Sequence, residues 1–112
     1  MMVVSIRDAI GILSRDGPLP CHEDLREEGK LVLCDEATPP KCIFISHTWL
    51  GLAHPDPTGI KMRLLLDLLT ALRDGNLAIK AYFVNWMNGG RDVPPSKLRR
   101  EYADACIWFD YW

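Results

Sequence analysis

The sequence predicts an α/β fold in which two parallel strands flank a helical connection. Residues 42–45 form a compact apolar run with β-branched Ile43 and Ile45, which is typical of a buried strand. Residues 105–112 form a second such run, rich in aromatic side chains. A strand, helix and strand in this order give a parallel crossover, so the carboxyl ends of both strands should meet at one edge of a sheet.

The connection between these strands is predicted to be mainly helical. The first helix begins with Asp56 or Thr58 as its cap and ends at Asp74-Gly75, and its apolar residues cover all but one narrow stripe. We expect such a helix to be buried on most sides. Residues 77–87 are apolar nearly throughout and fit a helix slightly better than a strand, and Pro94-Pro95 opens a further helix.

The first 40 residues are predicted to be an amino-terminal helix and a connecting segment, placed before an α/β core at residues 41–112. Ser5 followed by Asp8 resembles a capping box, and the helix that it begins should end before Gly17. Residues 31–33 are predicted to form a short strand. The sequence ends at residue 112, inside a strand-like run. We therefore expect either that the core is truncated or that this last strand pairs directly with the strand at residues 42–45.

Composition excludes several classes of protein. The chain has 112 residues, of which 48% are hydrophobic, and a net charge of −2, so one core is expected and no clustered basic excess indicates nucleic acid or an anionic membrane. Neither a secretory signal nor a run of about 20 apolar residues is found. We therefore expect a cytoplasmic protein whose four cysteines are free thiols.

Polar side chains follow the first strand and interrupt the last one. Ser46, His47 and Trp49 come directly after residues 42–45, and Asp110 lies within the closing aromatic run. A carboxylate in a buried strand needs a partner, which the crossover would supply from Ser46 or Thr48. Ser46 and His47 are not a catalytic dyad, because neighbouring residues on a strand point to opposite faces.

Metal binding is an alternative with incomplete ligand sets. His47 and His54 are two histidines without a third clustered ligand, whereas structural zinc requires four donors. A second set combines Cys21-His22 with Cys34 and Cys42, but no C-x-x-C pair is present. No metal ligand is therefore assigned, and a small zinc-binding module stays open as an alternative.

Three segments together resemble a known group of domains. They read IFISHTWL at residues 43–50, HPDPTG at residues 54–59 and IWFDYW at residues 107–112. They resemble the opening of the Toll/interleukin-1 receptor (TIR)-like and heterokaryon-incompatibility-like domains, in which a first strand ends in a similar phrase and a later strand contains W-x-D. The resemblance spans residues 41–112 with a long variable middle.

This resemblance implies a flavodoxin-like, partial parallel sheet with flanking helices, and a role in intracellular signalling or self-association through protein–protein contacts. Some members cleave NAD, so Ser46, His47, Trp49 and Asp110 become candidates to line a nucleotide pocket, with NAD the ligand implied. The catalytic glutamate of those hydrolases lies on a later helix and matches no residue here. No catalytic residue is assigned, and NAD cleavage stays an alternative to association.

Overall fold

The computed structural model of the chain describes residues 1–16, 19–35, 37, 39–46, 53 and 56–110. Its strands are β1 (Met2–Ser5), β2 (Leu31–Leu33), β3 (Cys42–Ile45) and β4 (Cys106–Phe109). Its helices are α1 (Ile6–Leu13), α2 (His22–Glu27), α3 (Ile60–Asp74), α4 (Phe83–Met87) and α5 (Pro95–Tyr102). The fold is α/β, as the sequence predicts.

The strands form one open sheet in the order β2-β1-β4-β3. Strands β3 and β4 are parallel, with Cys42 opposite Cys106 and Ile45 opposite Phe109, which confirms the predicted crossover. Strand β1 is antiparallel to both β2 and β4. The sheet is therefore mixed, and the expectation of a parallel sheet holds only for β3 and β4.

Strand β1 is the element that the sequence did not predict. Its burial comes from Val3 and Val4, which are almost fully covered between the neighbouring strands and the rest of the core. Two adjacent valines are too short a run to show the period of a strand, so the pairing itself stabilises this conformation. The first segment of the chain thereby contributes two of the four strands that the described residues form.

Ser5 ends β1 and caps α1 at the same position. Its hydroxyl oxygen accepts a hydrogen bond from the backbone N–H of Asp8 at 3.1 Å and donates to the Asp8 carboxylate at 2.7 Å. The Lys30 ammonium lies 2.9 Å from the same carboxylate. These hydrogen bonds, that from Lys30 first, hold the pKa of Asp8 below its ordinary value. The predicted helix start is confirmed.

The core lies on one face of the sheet, under α1, α3 and α5. Alternation along β4 turns Ile107 and Phe109 to this face, where both are buried. Helix α3 packs against α1 and α5. The helices contribute buried apolar side chains to this core: Ile6, Ala9, Ile10, Ile12, Leu25, Leu65, Leu69, Leu72 and Leu98.

Helix α3 is less buried than the sequence predicts. Only one stripe, Leu65, Leu69 and Leu72, is buried, whereas Leu64 is 63% exposed and Leu68 is 47% exposed. The expectation of burial on most sides is wrong, because the helix has neighbours along only part of its surface. Its end at Gly75, with φ of 77°, is as predicted.

Residues 79–93 form an excursion that leaves the fold and returns to the same place. Its base is an antiparallel bridge, in which the N–H groups of Ile79 and Val93 donate to each other's carbonyls at 3.1 and 2.8 Å. The Asp92 carboxylate also accepts from the backbone N–H of Ala81 at 2.7 Å. The excursion carries α4, which has no buried residue, so the predicted helix is confirmed only for residues 83–87.

Replacing the capping hydroxyl should weaken the junction of β1 and α1. We expect Ser5→Ala to lower the free energy of unfolding by about 1 kcal/mol, because the N–H of Asp8 loses its acceptor. Urea denaturation measures the change, and Ser96→Ala, at an exposed position of α5, is the control with an effect below about 0.5 kcal/mol. Equal effects in both variants would contradict the capping role.

Candidate functional site

Ser46 and Asp110 meet where β3 and β4 end. The Ser46 hydroxyl donates a hydrogen bond of 2.7 Å to the Asp110 carboxylate. The backbone N–H of Asp110 donates to the carbonyl of Ile45 at 3.2 Å, which continues the parallel ladder by one step. Because Ile45 lies opposite Phe109, the residues that follow them are necessarily neighbours. The hydrogen bond expected from the sequence is therefore present.

The geometry of Ser46 and Asp110 fits a structural link between two strands better than a catalytic role. Both side chains are exposed, so water competes for their polar atoms. A lone carboxylate is a weak base that does not activate a serine hydroxyl at neutral pH, and a nucleophile needs a stronger base within hydrogen-bond reach. The arrangement can hold the strand ends together and present oxygen atoms to a polar ligand.

His47 and Trp49, the other two candidates for the nucleotide pocket, lie outside the described residues, as does His54. The structure thus brings together Ser46 and Asp110 and leaves the remainder of the predicted site as a prediction. Nucleotide binding at this edge also stays a prediction, since the Ser46–Asp110 hydrogen bond is equally satisfied in a purely structural role.

Asp56 lies four residues before the first residue of α3 and contacts the first turn of that helix. The residue is 3% exposed, and its Oδ2 accepts a hydrogen bond of 3.0 Å from the backbone N–H of Met62. The helix begins after Gly59, whose φ of 69° is in the left-handed region, and not directly after Asp56 or Thr58 as predicted. Asp56 therefore caps the helix from outside, because the left-handed turn at Gly59 brings its carboxylate back to the helix end.

The position of Asp56 bears on anion binding. Backbone amides at a helix start attract anions, so the sequence predicts that a nucleotide or phosphate binds here, next to the polar strand ends, if it binds anywhere. The amide of Met62 is already hydrogen-bonded to a carboxylate of the protein itself. An external anion would have to compete with that buried carboxylate, so this helix end is a poorer anion site than its sequence predicts.

The cysteines are free thiols in the part of the chain that the structure describes. Cys42 and Cys106 lie opposite each other on β3 and β4, and burial raises the pKa of both thiols. Within the described ranges no three potential ligands of the His, Cys, Asp and Glu types cluster as a metal site would require. Cys21, His22, Cys34 and Cys42 all fall in those ranges, so the proposed zinc set is not assembled there.

Comparison with known proteins gives no match: this holds for the scan against family models and for the searches of curated proteins and of solved structures. Among the described residues, no helix has both the length and the apolar character needed to span a membrane. The site is therefore interpreted from its own geometry.

A double-mutant cycle should measure the link between the two strand ends. We expect Ser46→Ala and Asp110→Ala each to destabilise the chain, and the double variant to lose less than the sum, with a coupling of about 1 kcal/mol. Thermal or urea unfolding provides the four values. Strictly additive effects would show that the hydrogen bond contributes nothing in solution.

Titration with NAD or ADP-ribose tests the nucleotide prediction. Binding at the strand ends should shift the backbone amide resonances of Ser46 and Asp110 at millimolar ligand, and Trp49→Ala should reduce those shifts because a stacking ring is removed. Shifts confined to residues 97–100, or none at all, would remove nucleotide binding and leave the edge a structural element.

Proposed function

We propose that this chain is a TIR-like signalling domain that acts by protein–protein association, and that it self-associates through β3. The observation that carries the proposal is that, among the described residues, no strand pairs with the outer edge of β3, and that its apolar side chain Phe44 is 63% exposed. The edge, the face and the overall compactness of the chain each support it.

The outer edge of β3 offers backbone hydrogen-bonding groups. On its inner side, the carbonyl of Lys41 accepts from the N–H of Cys106 on β4 at 2.8 Å, and that of Ile45 accepts from the N–H of Asp110, directly after β4, at 3.2 Å. Because peptide groups alternate in direction along a strand, those of Cys42 and Phe44 point away from β4. Strand β4 is the one strand that pairs with β3 in the described sheet. Such an edge is a template for pairing with another chain.

The face of β3 opposite the helices is also apolar. Phe44 is 63% exposed, and its ring centroid lies 6.0 Å from that of Trp108 on the neighbouring strand. Parallel strands are usually covered on both faces, whereas α1, α3 and α5 cover the opposite face, that of Ile43 and Ile107. A second copy paired along the edge of β3 would place its own side chains beside Phe44 and reduce the exposure of this ring.

The compactness of the chain agrees with an incompletely covered sheet. The radius of gyration is 15.5 Å, whereas a compact chain of this length is expected to have about 13 Å. The chain is thus more extended than a compact domain of the same length. Large apolar side chains among the described residues that are exposed include Val32, Leu33, Ile60, Tyr82, Phe83 and Trp86.

A pairing of β3 with itself would be antiparallel and two-fold symmetric, which is the commonest symmetry of homodimers. Cys42 of one copy would then lie opposite Phe44 of the other, and both have outward peptide groups. The strand has only four residues, so it buries much less than the roughly 800 Å² per partner of a stable complex. We therefore expect weak, concentration-dependent association.

The finer assignments belong to the same proposal. The parallel crossover from β3 to β4 supports a flavodoxin-like arrangement of these two strands and the helices between them. Strand β1 runs antiparallel to its neighbours β2 and β4, so the described sheet is not all-parallel. The alternative function is cleavage of NAD. It has less support, because the resemblance provides no match for the catalytic glutamate.

Sedimentation velocity over a concentration series tests the association. Phe44→Lys should shift the chain to a monomer at concentrations where the unmodified chain associates, because it places a charge on the face and edge that pair. Circular dichroism checks that the variant is folded, and Phe44→Leu, which stays apolar, should keep the association.

The matched control is Leu33→Lys on β2, at the opposite edge of the sheet. Leu33 is 68% exposed, close to the exposure of Phe44, so the added charge has a comparable environment. We expect this variant to associate as the unmodified chain does. A clean monomer of the unmodified chain at high concentration, or loss of association only in Leu33→Lys, would overturn the proposal.

A further inference from the structure

An apolar cavity lies on the helix-covered face of β3. Its walls come from β3, α3, the base of the excursion at residues 79–93, and α5, and we call it the β3–α3–α5 cavity. It has a volume of about 530 Å³ and is lined by, among others, Ile43, Ile45, Leu68, Leu72 and Ile79. Sites for small molecules are typically about 300–1,000 Å³ and mainly apolar, so both its size and its lining fit a ligand.

The chemistry of the walls favours an aliphatic occupant over water. The cavity opens to solvent on one side, where Leu68 is 47% exposed and Ile79 is 49% exposed, so a bound hydrocarbon chain would cover apolar surface that water contacts. Water in a cavity needs polar partners, and the walls from β3 and α3 are formed mainly by leucine and isoleucine side chains. Ile43 and Ile45 pack on the core yet stay only partly buried, because the cavity leaves one side of each uncovered.

The polar groups of the cavity lie on α5. Glu101 forms an ion pair of 3.5 Å with Lys41, whose ammonium also lies 4.9 Å from the centroid of the Tyr102 ring. Lys97, one turn earlier on α5, has no ion pair within the described part of the chain. With Glu101 balanced by Lys41, the lining carries one uncompensated positive charge, which is complementary to an anionic group on a ligand.

We propose that the β3–α3–α5 cavity binds a single-chain aliphatic carboxylate, such as a medium-chain fatty acid. The hydrocarbon chain lies against Ile43, Ile45 and Leu68, and the carboxylate lies at Lys97. This binding goes beyond the proposed association, which uses the opposite face of β3. It makes the domain a receptor for a small amphiphile as well as a partner in assembly.

Calorimetric titration of the full chain with octanoate, decanoate and 1-decanol tests the site. Decanoate should bind roughly fifteenfold more tightly than octanoate, because two further methylenes leave water. Decanol, which has no charge to pair with Lys97, should bind up to about fivefold more weakly than decanoate, the range of a partly exposed ion pair. Absence of binding at millimolar decanoate, or no dependence on chain length, would overturn the proposal.

Two pairs of matched variants locate the binding. Leu68→Trp fills the cavity and should weaken decanoate binding by more than about tenfold, whereas Leu64→Trp, one turn earlier on α3 and outside the cavity, should not. Lys97→Gln should bring decanoate to the affinity of decanol, whereas Arg100→Gln on the same helix should leave the difference intact. Unchanged decanoate binding in Leu68→Trp would overturn the assignment. So would a Lys97→Gln variant that still binds decanoate more tightly than decanol.

The titrations are repeated in Phe44→Lys, so that their outcome does not depend on self-association. Decanoate binding in this variant with the same affinity supports a site on the helix-covered face. A different outcome is that no amphiphile binds and Leu68→Trp abolishes self-association. The cavity would then receive a second copy of the chain, and the ligand proposal would be overturned.

Discussion

Strand β4 lies between an antiparallel and a parallel neighbour, and the positions of the other elements depend on this double pairing. Its register with β3 brings Ser46 to Asp110 at one edge of the sheet. Its register with β1 brings Ser5 next to Cys106, so that α1 starts directly above the core. Alternation along β4 then decides which face holds Ile107 and the helices. If β4 lost its pairing with β1 and β3, the sheet would divide into two parts and the core that packs on it would lose its support.

The sequence predicted the elements whose signals are local. The β-branched run of β3, the cap at Ser5 and the glycine after α3 each act through neighbours in the chain, and all three are confirmed. Strand β1 was missed because its strand state depends on partners distant in sequence. The exposure of α3 was misjudged because periodicity identifies an apolar surface but not whether another element covers it.

The candidate site was predictable only where it follows from strand pairing. Parallel pairing alone places Ser46 beside Asp110, and that contact required no knowledge of the loop that follows. The capping role of Asp56 from outside the helix could not be derived in the same way, because it depends on a left-handed turn at Gly59 that the sequence does not prescribe uniquely. Local signals thus locate polar residues, whereas backbone geometry decides which atoms they contact.

The closed base of the excursion at residues 79–93 has a consequence for evolution and engineering. Since Ile79 and Val93 are hydrogen-bonded to each other, the chain enters and leaves the fold at one point, and the excursion packs little against the core. Doubling the length of such a loop costs only about 0.6 kcal/mol of closure entropy. Related chains can therefore vary in length here without disturbing the sheet, and a peptide tag or a whole domain inserted between these two residues should be tolerated.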